Sequence, residues 1–226
     1  MSSLYKLSPS ELTFLWDECP RCFYLKQVHG ITRPAAPFPK IFGRIDKLMK
    51  AFFQDQPTSE VAPALPAGRV RFAERWVTSA PIELPGRASS AYIRGVFDTA
   101  IEFDDGSYGV VDFKTSETKP EHAAFYSRQL HAYAYALQNP KQGTFALSPI
   151  TRLGLLSVEP VAMERAVDGR LAYLGTVTWL EIPLQPEGFL AFIDAVLQVL
   201  DQPEPPDPGP TCTYCLYRLK SREHGL

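Results

Sequence analysis

Residues 91–103 and 107–115 are both rich in β-branched and aromatic residues, and Asp104-Asp105-Gly106-Ser107 between them is a turn signal, so the pair reads as an antiparallel hairpin. Helical periodicity surrounds it. Leu12, Leu15, Trp16, Cys19 and Phe23 form an apolar stripe behind the capping sequence Ser8-Pro9-Ser10-Glu11, which predicts a helix from residue 9, interrupted at Pro20. Three prolines make 31–39 a loop, and Ile41, Ile45, Leu48, Met49 and Phe52 predict a second helix. Residues 56–68 read as irregular, and 69–77 and 81–84 as two short strands. Thr118-Lys-Pro-Glu121 is a second capping sequence, opening a helix that ends at Asn139-Pro140. Strands at 151–158 and 171–182 join at Asp168-Gly169, and an amphipathic helix covers 186–200. Five prolines in 201–210 predict a stiff extended connector. The expected fold is α/β, a mixed sheet flanked by helices.

Register turns the central hairpin into a candidate site. If Gly106 closes a three-residue loop, Phe103 faces Ser107 and Asp98 sits opposite Asp112, with Lys114 on the same face by alternation. Carboxylates facing each other at about 5 Å weaken a hairpin, and a divalent cation between them removes the conflict. The competing reading keeps Asp98 and Asp112 as solvated charges, and a two-residue loop would send them to opposite faces. Their neighbours Val96, Phe97, Val110, Val111 and Phe113 argue for strands covered on both sides, where an unpaired carboxylate is costly.

A chain of 226 residues with 45% hydrophobic content fits one domain with a substantial core. The boundaries read as 1–226 overall, with an N-terminal helical part at 1–55, a sheet and helix at 69–183, and a C-terminal helix and cysteine pair at 186–226. No apolar run reaches membrane-span length and Met1 to Lys6 carry no signal-peptide core, so a cytoplasmic protein without membrane partners is expected. A net charge of −2 does not advertise nucleic-acid binding. Residues 20–50, however, hold seven Lys/Arg against the single acid Asp46, either a local phosphate footprint or a solvated helix face.

All four cysteines fall into two C-x₂-C pairs, Cys19/Cys22 and Cys212/Cys215. In a cytosolic chain that pattern points to metal ligation, and the separation of 190 residues makes it a clasp between the chain ends. Tetrathiolate chemistry suits zinc or an iron–sulfur cluster, and the paired spacing by itself leans to zinc.

Gly95-Val-Phe-Asp98, Asp112-Phe-Lys114 and Gln129-x-x-x-Tyr133, in that order, resemble the PD-(D/E)XK nuclease superfamily and specifically its RecB-like branch, which includes the AddB nuclease domain and exonucleases of CRISPR adaptation. The resemblance implies a restriction-endonuclease-like core. Asp98 and Asp112 would hold Mg²⁺ or Mn²⁺, and Lys114 would orient or activate the attacking water. Gln129 and Tyr133 would lie over the site and position DNA. It implies a DNA nuclease on single strands or duplex ends, in DNA repair, recombination or CRISPR-type processing, with possible partner proteins.

Two departures stand out. Relatives carry a metal-ligating histidine in a Gly-x-x-x-His segment, where this chain reads Gly43-Arg44-Ile45-Asp46-Lys47; Asp46 is the candidate replacement, or a surface charge. Iron–sulfur relatives place a further cysteine about where Ser221 stands, and Cys22 could supply the missing ligand. The resemblance therefore favours [4Fe–4S] on Cys19, Cys22, Cys212 and Cys215, with Zn²⁺ as the alternative. His29, His122, His131 and His224 show no ligand pairing. The rival to an enzyme is a catalytically weakened DNA-binding or scaffold module on the same fold.

Overall fold

A computed structural model describes residues 3–35, 37 and 39–225. In chain order its elements are β1 (Leu4–Leu7), α1 (Pro9–Glu18), α2 (Pro20–His29), α3 (Lys40–Phe53), α4 (Thr58–Val61), β2 (Gly68–Thr78), β3 (Ser90–Phe103), β4 (Tyr108–Lys114), α5 (Glu121–Gln138), β5 (Ile150–Arg165), β6 (Leu171–Ile182), α6 (Pro186–Leu200) and α7 (Thr213–Glu223). The architecture is a six-stranded mixed sheet flanked by helices. β3 pairs with β1 in parallel and with β2 and β4 antiparallel; β4 runs parallel to β5, which closes antiparallel on β6.

Alternation along the strands builds two cores. Val110, Leu153 and Leu155 face a cluster that includes Leu130 and Leu137 of α5, Ile193 and Leu197 of α6 and Leu12 of α1. Val111, Phe113 and Leu156 face the other side, where Met49 and Phe53 of α3 cover them. The parity slips between Phe97 and Ala100, since both belong to the first cluster although they stand an odd three positions apart. Asp98 lies in that slip.

The helices begin and end where the periodicity places them, but by different chemistry. Neither Ser8 nor the Thr118 region caps through a side chain. Instead, proline at the first position starts α1, α2 and α6, and at α5 the ring Nδ1 of His122 accepts the N–H of Lys119. Gly30 ends α2 in the left-handed region (φ 67°), its N–H returning to Lys26 while Ile31 returns to Leu25. β2 runs unbroken to Thr78, and the strand expected at 81–84 reduces to one bridge, Ile82 to Ala91. β1, the single turn of α4 and the terminal helix α7 carry too short or too polar a pattern to be anticipated. The loop expected at 31–39 is irregular at its described residues; Ala36 and Phe38 lie outside them. Among the described residues no helix is long and apolar enough to cross a membrane.

Candidate active site and cysteine cluster

The β3–β4 turn fixes the site. Gly106 sits at φ 81° and donates to the Phe103 carbonyl, while the N–H of Phe103 donates to Ser107, a three-residue loop with Asp104 and Asp105. The pairing that follows runs Glu102–Tyr108, Ile101–Gly109, Ala100–Val110 and Thr99–Val111, the expected register. One step further on, Asp98 meets the strand bearing Asp112 through its side chain: Asp98 Oδ2 accepts the N–H of Phe113 at 2.9 Å.

Asp112 is almost fully buried. Gln129 of α5 donates to its Oδ1 at 2.9 Å, and Lys114 Nζ lies 2.5 Å from Oδ2, a charge contact rather than an aligned hydrogen bond. Burial pushes the Asp112 carboxyl up to about 6; Lys114 opposes that rise and the charge of Asp98 adds to it. Lys114 also stands 4.0 Å above the ring of Tyr126 on α5. Tyr133, one turn beyond Gln129, donates its hydroxyl to the Val96 carbonyl at 2.7 Å. Burial and the nearby carboxylates Asp112 and Asp98 raise its pKa. Gln129 and Tyr133 are both buried with these donors turned onto protein atoms, bracing Asp112 and β3.

Two further groups complete the cluster. Lys50 of α3 places its ammonium 2.8 Å from Asp46, 2.9 Å from Asp98 and 3.1 Å from Glu74. Burial would lower its pKa, but the contacts with Asp46 and Asp98 hold it above the ordinary amine range. Glu74 projects from β2 between the pairs Ala73–Thr99 and Arg75–Phe97, which puts it opposite Asp98, and its φ of 47° is rare for a side chain with a Cβ. Lys50 was legible only as one charge of a basic stretch, although its i,i+4 spacing from Asp46 was a signal. Nothing in the sequence marks Glu74.

Do these residues suit a divalent ion? Four carboxylates (Asp46, Glu74, Asp98, Asp112) gather with two ammonium groups (Lys50, Lys114), an excess of two negative charges. All the donors are oxygens, and Gln129 Oε1 is buried without a hydrogen-bond donor. That is a hard-cation donor set matched in charge to Mg²⁺ or Mn²⁺. No histidine joins it. Buried His131 is held by its surroundings as a neutral link, Nδ1 on the Ser127 carbonyl and Nε2 accepting the N–H of Gln185 at 2.8 Å, and burial lowers its pKa.

The four cysteines converge in a second cluster. Cys19 and Cys212 are the residues preceding α2 and α7, and Cys22 and Cys215 lie in the first turns of those helices. Their ligand atoms all fall within 4.8 Å of one another and all four residues are buried, an arrangement that could bind a metal ion. Crowding buried thiols has opposing effects. Burial pushes Cys22 and Cys215 up, with Cys19 and Cys212 adding to the rise. Cys19, also raised by burial, is brought down to about 7 by the N–H groups of Gly209 and Cys22. The connector is pinned to this end: Tyr24 donates to Gln202 and Arg21 to Pro206. Gly209 passes so close that a Cβ there would stand 2.2 Å from the Glu18 carbonyl oxygen.

The family model of the PD-(D/E)XK nuclease superfamily matches residues 6–219. Among solved structures, the chain is similar to the crystal structure of SSO0001, with 16% identity and a TM-score of 0.51 over 95% of this chain and 84% of that one, a likeness of fold. No curated protein matches the chain.

Proposed function

Because the chain belongs to the PD-(D/E)XK nuclease superfamily, we propose that it is a Mg²⁺- or Mn²⁺-dependent DNA nuclease of the RecB-like branch, hydrolysing phosphodiester bonds in single strands or at duplex ends. The observation that carries this reading is the buried Asp112, braced by Gln129, touched by Lys114 and repelled by Asp98 across the hairpin. Even with Lys50 and Lys114 present, four carboxylates leave an excess of two negative charges that a divalent cation would offset.

In this reading Asp98 and Asp112 hold the ion, and Asp46 takes the position of the histidine that relatives use. A divalent ion there neutralises the scissile phosphate and lowers the pKa of the attacking water. Lys114 orients that water and stabilises charge on the phosphate. Gln129 and Tyr133 act as positioning residues, the first through Asp112 and the second through the Val96 carbonyl, rather than by gripping DNA. Lys50 is the resident counter-ion of Asp46, Glu74 and Asp98, and a divalent ion held by Asp98 would compete with it for that carboxylate. Lys40, Arg44 and Lys47 form no ion pair among the described residues and line an open groove of about 650 Å³ on α3, the same helix that carries Asp46 and Lys50. They are suited to lead a phosphate backbone to the site. The whole of 1–226 serves as one nuclease domain, its partners DNA and the proteins of a DNA repair, recombination or CRISPR-type assembly.

One observation favours the alternative of a weakened scaffold module: Lys50 already supplies Asp46 and Asp98 with a cation of the chain's own. The test is Mn²⁺ soaking with DNA-cleavage assays on wild type, Asp112→Ala and Lys114→Ala. The nuclease reading expects an ion between Asp98 and Asp112, with cleavage lost in both variants. Binding of DNA without cleavage under any divalent ion would establish the scaffold.

A further inference from the structure

The four thiols form a site that hydrolysis does not use, and their spacing bears on what they hold. Cys22 Sγ stands 3.7 Å from Cys212 Sγ and 3.6 Å from Cys215 Sγ, and Cys19 Sγ stands 3.8 Å from Cys215 Sγ. No pair of ligand atoms in the group exceeds 4.8 Å. Four thiolates around one zinc ion, with bonds of about 2.3 Å, form a tetrahedron whose edges are about 3.8 Å. In a [4Fe–4S] cluster each thiolate binds its own iron, so the sulfurs must stand outside a cube of eight atoms rather than around one ion. Three of the six edges, at 3.6–3.8 Å, match the first geometry, and a set confined within 4.8 Å is more compact than the second requires.

We infer that Cys19, Cys22, Cys212 and Cys215 hold a single zinc ion, in place of the iron–sulfur cluster that the resemblance to RecB-like relatives implies. Two identical knuckles face each other, each built from a cysteine preceding a helix and a second cysteine in its first turn, so helix N-termini offset the charge of bound thiolates. Two further donors address the sulfurs. Arg33 Nη2 lies 3.2 Å from Cys212 Sγ, and the N–H of Gly209 lies 3.3 Å from Cys19 Sγ. Arg33 is itself held by Glu18 at 2.6 Å and by the ring of Tyr214 at 4.8 Å. A tetrathiolate zinc centre carries a net charge of about −2, and an arginine locked against it is the outer-shell compensation such a site needs. Arg33 is held in that place by Glu18 and Tyr214, and it would meet charged thiolates better than neutral thiols. The inference does not depend on the nuclease reading, because it concerns only the ends of the chain.

The experiment is elemental analysis and visible spectroscopy of the full chain, expressed with abundant iron and purified without oxygen, so that a cluster would survive. The result expected is about one zinc per chain and no iron chromophore. Exchange into Co²⁺ then gives the intense charge-transfer and ligand-field bands of tetrahedral Co²⁺–thiolate, lost in Cys22→Ser. Should that variant fail to fold, the wild-type metal content alone decides. Iron and sulfide in equal, near-fourfold amounts with a brown chromophore would overturn the inference, and so would a single iron per chain.

Discussion

A carboxyl buried as Asp112 is destabilises the metal-free protein whenever it is charged. Its folded pKa of about 6 lies above the ordinary 3.8, so between those values the folded chain holds the proton more tightly than the unfolded chain. The contribution of Asp112 to the stability of the metal-free protein should therefore be most favourable below about pH 4, fall as pH rises to about 6, and level off above, a loss on the order of 3 kcal/mol at most. Asp105 and Asp194, whose pKa values are lowered, act in the opposite sense in acid. Asp112→Asn removes that loss. In chelator near neutral pH the variant should melt above wild type, with the advantage vanishing in acid, as thermal scans across pH would record. Lys50 gives the complementary prediction. With its ammonium replaced in Lys50→Met, the three carboxylates it contacts lose their competitor, and Mn²⁺ affinity by calorimetry should rise several-fold; a weaker affinity would show that Lys50 helps to build the ion site. The register of the hairpin was legible as far as Thr99 opposite Val111 because a turn type fixes register, whereas the parity slip at Asp98 was not. Lys50 and Glu74 were not, since they reach Asp98 from α3 and from β2, and no local pattern states where a distant helix or a strand kink will place a side chain.

At the scale of elements, α3 has two tasks. Its apolar stripe covers Val111 and Phe113 through Met49 and Phe53, while Lys40, Arg44 and Lys47 face outward beside the site. Replacing those three with glutamine should weaken DNA binding and flatten its dependence on salt by about 2 to 3 in the logarithmic slope, without moving the melting temperature. Titrating labelled DNA at several salt concentrations measures both; an unchanged slope would place the DNA elsewhere. Helix periodicity survived into the structure because α1, α3, α5 and α6 each bury one face on the sheet or on a neighbouring helix. The caps did not survive as read. At α1 Pro9 already presets the first turn behind Ser8, and at α5 the N-cap position is Pro120, with His122 accepting the N–H of Lys119 just before it, a contact no capping pattern names. β1 escaped because four residues with one buried side chain give no alternation to count.

For the whole molecule, the cysteine clasp closes a loop of 190 residues between Cys22 and Cys212. By analogy with a disulfide across so long a loop, losing the bound metal should cost on the order of 5 kcal/mol. Urea unfolding with and without a thiol-competent chelator should show that difference, with protease cutting first near the freed ends. That the ends meet was readable from the cysteine count; that their sulfurs fit one ion was not, because spacing along a chain carries no distance across space. Proposed catalysis and the clasp use separate groups of residues, and the account stands or falls on the first. Its most direct test is degradation of end-labelled single- and double-stranded DNA by the metal-loaded chain, across Mg²⁺, Mn²⁺ and chelator. Cleavage that requires the ion and disappears in Asp112→Ala and Lys114→Ala is the result predicted. DNA that is bound yet left whole under every ion, or cut equally well by those two variants, would contradict it.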